Sequence, residues 1–194
     1  MVNSRFKLVS IATVAALALV GCSSSAEETT DETTTAAAAE VITIEDNHGS
    51  KEITSTEAVA ATDNRAFELL DRWGVDLVAA PVTLVPFTVT GYKEDTEIAD
   101  MGSHREPNLE ALAAAQPDLV INGQRFAQYY DDIVSLAPDA TVVELDPRDG
   151  EPLDQELIRQ VESLGEIFGE EEDAATLVED FNEALERAKA AYAE

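Results

Sequence analysis

Two arginines lie in short polar segments that could hold an anionic ligand. Arg125 closely follows the apolar run of residues 119 to 121, and Arg105 lies in a polar turn before a predicted helix. A guanidinium presents several N–H donors in a planar fork and stays charged at physiological pH, so both residues suit anionic oxygens. Simpler alternatives stay open: Arg125 could pair with Asp131 or Asp132, and Arg105 could lie in a solvated turn.

Polar and aromatic side chains accompany Arg125. Gln128 and Tyr129 follow it closely, and an aromatic face can pack on the flat apolar part of a ligand. Successive residues on a helix point in different directions, so one tyrosine is selected, Tyr129 rather than Tyr130. Asn64 joins these candidates because it lies at the first predicted strand-to-helix turn. Ordinary packing of a helix on a sheet is the alternative for the aromatic residues.

The sequence has no pattern typical of a catalytic centre. It contains neither G-x-S-x-G nor a P-loop, and its carboxylates are spread along predicted helix faces, as on a solvated surface. His104 is adjacent to Arg105, whereas His48 is assigned to a distant hairpin, and two histidines alone do not make a zinc or manganese site. We therefore expect a binding protein rather than an enzyme, with no intrinsic cofactor and no metal held by protein ligands.

The elements that would position these residues alternate between strands and helices. Predicted strands cover residues 58 to 61, 77 to 80, 119 to 121 and 141 to 145, after a β-hairpin over residues 41 to 54. This alternation indicates the α/β class, with a mostly parallel sheet and flanking helices in a single Rossmann-like lobe. Ligands bind such sheets beyond the carboxyl ends of the strands.

Local signals predict where the helices begin and end. Asp63 or Asn64 is expected to cap the first helix, and Pro107 suits the first turn of the helix that precedes Pro117. Apolar residues three to four apart predict an amphipathic helix over residues 154 to 168 and a long helix over residues 171 to 192.

Four segments in combination resemble the N-terminal lobe of iron–siderophore substrate-binding proteins of ABC importers, the periplasmic-binding family with a long interlobe helix. They read GSHREPNLEAL, AQPDLVIN, GQRFAQYYDDI and SLAPDATVVEL, and the resemblance covers about residues 41 to 194. The third segment is most similar to the branch that binds catecholate-type ferric siderophores, whose loop supplies an arginine, here Arg125. Two departures are the aromatic Phe126 after that arginine and the sequence TSTE at residues 54 to 57, where Pro-x-Arg is expected.

The resemblance implies the solute-binding component of an ABC importer, which captures an anionic ferric siderophore and delivers it to a permease and its ATPase. The residues that would contact this ligand are Arg125, Arg105, Tyr129, Gln128 and Asn64. Glu106, with Glu110 as a second candidate, would dock into arginine pockets of the permease, although a carboxylate near a helix N-terminus is also favoured by the helix dipole. The alternatives are another chelate, such as haem or a corrinoid, and a truncated single-lobe surface protein without transport activity.

The N-terminal segment resembles a lipoprotein signal peptide over residues 1 to 21. Arg5 and Lys7 precede an apolar run, and Leu-Val-Gly-Cys then ends at Cys22, the only cysteine. Lipidation of Cys22 would anchor the chain to the extracellular face of the cell membrane. A Gram-positive surface is the preferred setting, and the periplasmic side is the alternative.

Composition distinguishes three segments in the remainder of the chain. Residues 22 to 40 predict a flexible acidic linker, residues 41 to 168 the substrate-binding lobe, and residues 169 to 194 the start of the interlobe helix, with the family's second lobe missing. Loss of residues 1 to 21 would change the formal charge from −28 to −30, since it removes two basic residues and no acid. Such a charge argues against a nucleic-acid partner and requires the few basic residues to concentrate at the cleft.

Overall fold

The structure, a computed structural model, describes residues 41 to 192. The predicted signal peptide, the linker up to residue 40 and Cys22 lie outside the described residues. Within the described range, no helix combines the length and the apolar character needed to cross a membrane.

Nine strands and six α-helices make up this range. The strands are β1 (Ile42–Asp46), β2 (Gly49–Ile53), β3 (Val59–Ala61), β4 (Leu77–Ala80), β5 (Ala99–Asp100), β6 (Gly102–Ser103), β7 (Glu106–Pro107), β8 (Leu119–Asn122) and β9 (Thr141–Glu144). The helices are α1 (Phe67–Arg72), α2 (Thr90–Glu94), α3 (Leu109–Ala115), α4 (Tyr130–Leu136), α5 (Leu153–Phe168) and α6 (Glu171–Tyr192), with 3-10 turns at Val82–Leu84 and Gln124–Tyr129.

A five-stranded parallel sheet lies at the centre, in the order β5-β4-β3-β8-β9. Its strands are short and mostly buried, because helices cover both faces, as is usual for parallel sheets. The predicted α/β class, the parallel sheet with flanking helices and the long C-terminal helix are confirmed.

The core has two layers, one on each face of the sheet. Val59 and its strand neighbour Ala60 point to opposite faces, as alternate residues of a strand do. One layer joins the sheet to α1 and α5 through Phe67 and Leu164, and the other joins it to α3 and α4 through residues such as Leu112. The two layers hold the sheet rigidly beneath the loops at its carboxyl edge.

The hairpin β1–β2 packs beside the edge strand β9. Thr141 Oγ1 donates to the Glu52 carbonyl at 3.1 Å, and the Glu144 backbone N–H donates to Asp46 Oδ2 at 3.0 Å. The turn of this hairpin therefore reaches the carboxyl end of β9.

Two predicted helix starts are wrong. Pro107 lies in β7, and Asn108 is the N-cap of α3, where its Oδ1 accepts from the Ala111 N–H at 3.2 Å. Neither Asp63 nor Asn64 caps α1, which begins after Ala66; instead, Asp63 Oδ1 accepts from the Arg65 N–H in a local turn. Asp63 is engaged by this local side-chain bond, Asn64 Nδ2 donates to the Leu84 carbonyl, and Pro107 pairs with Gly102 in the β6–β7 hairpin.

Helices α5 and α6 are joined by Gly169, which has a φ of +70° at the end of α5. Close approach here depends on Gly165, because a Cβ at that position would lie 2.6 Å from the Ala174 side chain. The helix predicted over residues 171 to 192 is confirmed, although Ala174 is its one buried residue among those described.

Candidate functional site

The central sheet has a switch point at the carboxyl ends of β3 and β8. These strands are neighbours, and the chain continues from β3 to β4 on one side and from β8 to β9 on the other. Loops that diverge from adjacent strands leave a crevice, which is where open α/β sheets bind ligands. Five segments that follow the carboxyl ends of the strands lie at this edge of the sheet, and we call them the rim: residues 62 to 66, 81 to 85, 102 to 107, 123 to 129 and 145 to 147.

Side-chain hydrogen bonds tie neighbouring segments of the rim together. Asn64 Nδ2 donates to the Leu84 carbonyl at 3.0 Å, and the turn that contains Leu84 packs against β6. The Tyr129 hydroxyl donates to the His104 carbonyl at 2.7 Å. The loop that carries Arg105 is thereby attached to the segment that carries Arg125.

Asp146, in the segment that follows β9, is hydrogen-bonded to the segments that follow β8 and β3. Both of its carboxylate oxygens lie 2.9 Å from the Gln124 backbone nitrogen, and the Arg65 guanidinium donates to one of them. Arg65 Nε also lies 3.4 Å from Oδ1 of the buried Asp63. The rim is therefore a closed set of loops before any ligand arrives, which lowers the ordering cost of binding.

Arg105 and Arg125 are the exposed, unpaired cations of the rim. Ten lysines and arginines lie in the described residues, since Arg5 and Lys7 fall outside them, and seven of the ten form ion pairs. Lys93 and these two arginines form none within residues 41 to 192. The alternative pairing of Arg125 with Asp131 or Asp132 is thus not formed.

Two buried polar atoms of the rim lack a hydrogen-bond partner in the described part of the chain. They are Asn64 Oδ1 and His104 Nδ1. Because burying an unpaired polar atom is costly, such atoms call for a partner that the protein itself does not provide. Both atoms belong to the rim, where water or a bound ligand can supply that partner.

The other predicted ligand residues are also in the rim. Gln128 Nε2 donates to the Arg125 carbonyl at 2.9 Å, and the Tyr129 ring packs edge-on against Phe126 at 5.8 Å between centroids. The Tyr129 hydroxyl is already engaged by the His104 carbonyl, so its ring is the part that remains for a ligand. Tyr130 is turned elsewhere, toward the β1–β2 hairpin. The structure thus brings together Asn64, Arg105, Arg125, Gln128 and Tyr129, whose ligand roles stay predictions.

His48 is not distant from the sheet, contrary to the expectation from sequence. Its ring stacks on Tyr130 with 3.6 Å between centroids, and its Nε2 lies 3.4 Å from Glu144 Oε1. Glu144 also accepts from Asn122 Nδ2 at 2.8 Å, and Asn122 in turn accepts from the Thr62 hydroxyl. Burial raises the pKa of Glu144, and the bond from Asn122 partly offsets this rise. This chain of bonds lies beneath the crevice and links β3, β8 and β9.

Asp63 is the second buried carboxylate below the crevice. Gln160 Nε2, from α5, donates to its Oδ2 at 2.6 Å. Burial raises the pKa of Asp63, whereas the N–H and the guanidinium of Arg65 act in the opposite direction. Gly123 is required beside it, because a Cβ there would lie 2.8 Å from Asp63 Oδ2.

The described residues contain no group of three or more histidine, cysteine or acidic side chains placed to hold a metal ion. Groups of the rim that have no side-chain partner in the described residues include the guanidiniums of Arg105 and Arg125, the amide oxygen of Asn64 and Nδ1 of His104.

The two predicted docking residues are exposed on the surface near Arg105. Glu106 lies in β7, paired with Ser103, and Glu110 lies in the first turn of α3. Because Glu106 precedes the N-cap, the helix-dipole explanation fits Glu110 better than Glu106.

Comparisons with known proteins agree with this fold. The ferric-anguibactin-binding protein FatB of Vibrio anguillarum is 31% identical over 155 residues, which are 79% of this chain and 48% of that protein. The petrobactin-binding protein YclQ of Bacillus subtilis is 27% identical over 69% of this chain and 43% of its own length. The solved structure of the siderophore-binding protein BauB, bound to a complex of two acinetobactin molecules and ferric iron, has a TM-score of 0.67 and 26% identity, and the match covers 78% of this chain and 54% of that one.

The chain spans about half the length of the relatives that it matches. The sequence profile of one family, described as periplasmic binding protein, matches residues 59 to 194, a range that includes the whole central sheet and the rim. This chain belongs to the periplasmic binding protein family.

Proposed function

We propose that the chain is the N-terminal lobe of the solute-binding component of an ABC importer. Its rim would capture an anionic ferric siderophore of the catecholate type and deliver it to a membrane permease and its ATPase. The observation that carries this proposal is the pair of unpaired guanidiniums, Arg105 and Arg125, on a closed rim in a chain of 40 acidic and 12 basic residues. The names of the relatives FatB and YclQ support the ligand class.

Arg105 and Arg125 would contact the anionic oxygens around the iron. A guanidinium can donate two parallel hydrogen bonds to such oxygens, and charge-assisted bonds are about twice as strong as neutral ones. Asn64 and His104 would supply further polar contacts through their unpaired atoms. The iron stays wrapped by the siderophore, so the protein acts by binding and not by catalysis.

The surroundings of the rim fit delivery to a membrane partner. Glu106 and Glu110 would present carboxylates to arginines of the permease, and both are exposed, Glu106 in β7 and Glu110 in the first turn of α3. Cys22 would carry the lipid that holds the chain at the extracellular face of the membrane, by way of the linker over residues 22 to 40. Lipidation is tested by mass spectrometry of the membrane fraction, with Cys22→Ala as the control.

The binding proposal is tested by calorimetry on the full reading frame that contains this chain. Fluorescence is a poor reporter, because Trp73, the only tryptophan, donates to Asp173 and lies at the end of α1 away from the rim. A ferric tris-catecholate should bind saturably, and Arg125→Gln should weaken it about tenfold or more, as expected for the loss of a charged hydrogen bond.

Arg187→Gln is the matched control, because it removes the same charge from an exposed ion pair on α6. It should leave the affinity unchanged. Absence of binding by the unmodified protein, or equal losses in the two variants, would contradict the proposed function.

A further inference from the structure

Arg65 occupies an unusual place in the rim, because it is the cation between two carboxylates. Its guanidinium donates to Asp146 and lies 3.4 Å from Asp63 Oδ1. The Arg65 side chain is 25% exposed and that of Asp146 21%, whereas that of Asp63 is fully buried. Two of the three guanidinium nitrogens of Arg65, Nε and Nη2, are therefore engaged by carboxylates of the protein.

The carboxylate of Asp146 contacts the residue that precedes Arg125 in the chain. It accepts the backbone N–H of Gln124, the residue before Arg125, through both oxygens at 2.9 Å. Gln124 has a φ of +56°, a left-handed conformation that is uncommon for a residue other than glycine and that this contact helps to hold. Asp146 thus fixes the segment that carries Arg125, but it also places a negative charge beside an anion site.

Arg65 changes the net charge beside Arg125. Asp146 and Arg125 together would be neutral, and an anion would gain little by approaching them. Arg65 cancels the charge of Asp146, so Arg125 remains effective as a cation. Asp63, the other carboxylate beside Arg65, is fully buried and also accepts from Gln160, whereas Asp146 is partly exposed at the rim. The positive charge of Arg65 therefore offsets the carboxylate that contacts the segment of Arg125.

We infer that Arg65 is a positioning and specificity-determining residue that neutralises Asp146, so that the loop holding Arg125 can be fixed by a carboxylate and still attract an anionic ligand. This inference rests on the proposed function. It assigns a role to a residue whose guanidinium is engaged with two carboxylates of the protein, and it makes the selectivity of the rim for anions depend on an internal ion pair.

The test is a charge-swap series on the full reading frame, with a trianionic ferric tris-catecholate as the probe, titrated at low and high salt. Arg65→Gln should weaken binding about fivefold or more at low salt, and the loss should shrink at high salt because the unbalanced charge is screened. Asp146→Asn keeps an oxygen acceptor for Gln124 and removes the negative charge beside the anion site, so it should bind a few-fold better than the unmodified protein.

The double variant Arg65→Gln/Asp146→Asn distinguishes charge from structure. It restores the charge balance, so its affinity should return to within about twofold of the unmodified protein. If the ion pair of Arg65 and Asp146 served only to hold the loops in place, it would be lost in the single and in the double variant alike, and the affinity would not recover. Arg65→Lys keeps the charge and should retain binding, which separates a charge effect from a failure to fold.

The outcomes separate the two proposals. If the unmodified protein binds no ferric siderophore, the proposed function fails, and this inference fails with it. If the unmodified protein binds but the double variant stays as weak as Arg65→Gln, or if Asp146→Asn alone is equally weak, only the role of Arg65 is overturned.

Discussion

The two ends of the strands β3 and β8 carry polar loops of opposite character. At the amino end, Asp118 accepts hydrogen bonds from the Ser55 hydroxyl and from the backbone N–H groups of Glu57 and Ala58, the latter two at 3.1 and 3.2 Å. Its own backbone N–H donates to the Ala58 carbonyl at 2.9 Å. At the carboxyl end, two guanidiniums and two buried polar atoms of the described residues have no such partners.

The two ends of the sheet are therefore expected to differ in role, the amino end in the stability of the fold and the carboxyl end in ligand affinity. A carboxylate with three donors fixes the register of β3 against β8 and leaves nothing to offer a ligand. The rim also has carboxylates with several donors, Asp63 and Asp146, but two of its buried polar atoms have no protein partner in the described residues and two of its guanidiniums face solvent. Substitutions at the amino end should therefore change the free energy of unfolding, and substitutions at the rim should mainly change affinity.

The largest expected effect is at the amino end. Asp118→Ala removes a charged acceptor from several donors at once, so the free energy of unfolding should fall by about 3 kcal/mol, measured by urea denaturation. Affinity for a ferric tris-catecholate should not change under conditions in which the variant is folded. A loss of affinity without a loss of stability would contradict the proposed division between the two ends.

Gly102→Ala should affect both properties, because it lies at the base of the hairpin that carries Arg105. Gly102 has a φ of +71°, and a Cβ would lie 2.6 Å from the Glu106 carbonyl oxygen. Strain and the clash should cost about 2 kcal/mol of stability and displace Arg105.

Calorimetry of Gly102→Ala should then show weaker binding of the anionic probe. Gly150→Ala is a matched control, since Gly150 also has a positive φ, of +88°, but has no atom within 4 Å of the added Cβ. If Gly102→Ala binds normally, Arg105 has no part in the site.

The location of Arg125 was predictable because it depends on local signals. A short apolar run followed by Asn-Gly predicts a strand end, and the resemblance adds the sheet. The partnership of Arg65 with Asp146 was not predictable from these signals, because it joins residues 81 positions apart and requires β9 to lie beside β8. His48 was assigned wrongly for the same reason, since its contact with Glu144 spans 96 positions.

Errors at short range have another cause. Pro107 and Asp63 are compatible with a helix start, yet each is taken up by a competing local structure, the β6–β7 hairpin for Pro107 and a side-chain turn for Asp63. Composition also gave no indication that most cations are paired within the protein. That distinction, which separates Arg125 from Arg65, is visible only in the folded chain.

Tyr129→Phe tests whether the hydrogen bonds between neighbouring loops of the rim contribute to ligand affinity. It removes the hydroxyl that donates to the His104 carbonyl and keeps the ring against Phe126. Stability should fall by about 1 kcal/mol, the usual value of one hydrogen bond, and affinity should fall a few-fold because the loop with Arg105 is released.

Tyr192→Phe is the control for that experiment, because Tyr192 is 93% exposed at the end of α6. It should leave both the stability and the affinity unchanged. An unchanged affinity in Tyr129→Phe would show that the rim is held without this bond.

The smallest effect is expected at Glu144, beneath the crevice, and it depends on pH. Burial raises the pKa of Glu144 in the folded protein, so the charged form is less favourable there than in the unfolded chain. Above that raised pKa, Glu144 therefore costs stability, and the cost disappears as pH falls through it and the folded protein takes up the proton.

Glu144→Gln keeps an acceptor for Asn122 and removes the charge, so it should be slightly more stable than the unmodified protein at neutral pH and lose that advantage in acid. Thermal unfolding followed from pH 7 down to about pH 4, near the ordinary glutamate pKa, measures this difference. A destabilised variant at neutral pH would mean that the contact with His48 outweighs the cost of burial, and the polar groups beneath the crevice would then belong with the stabilising end of the sheet.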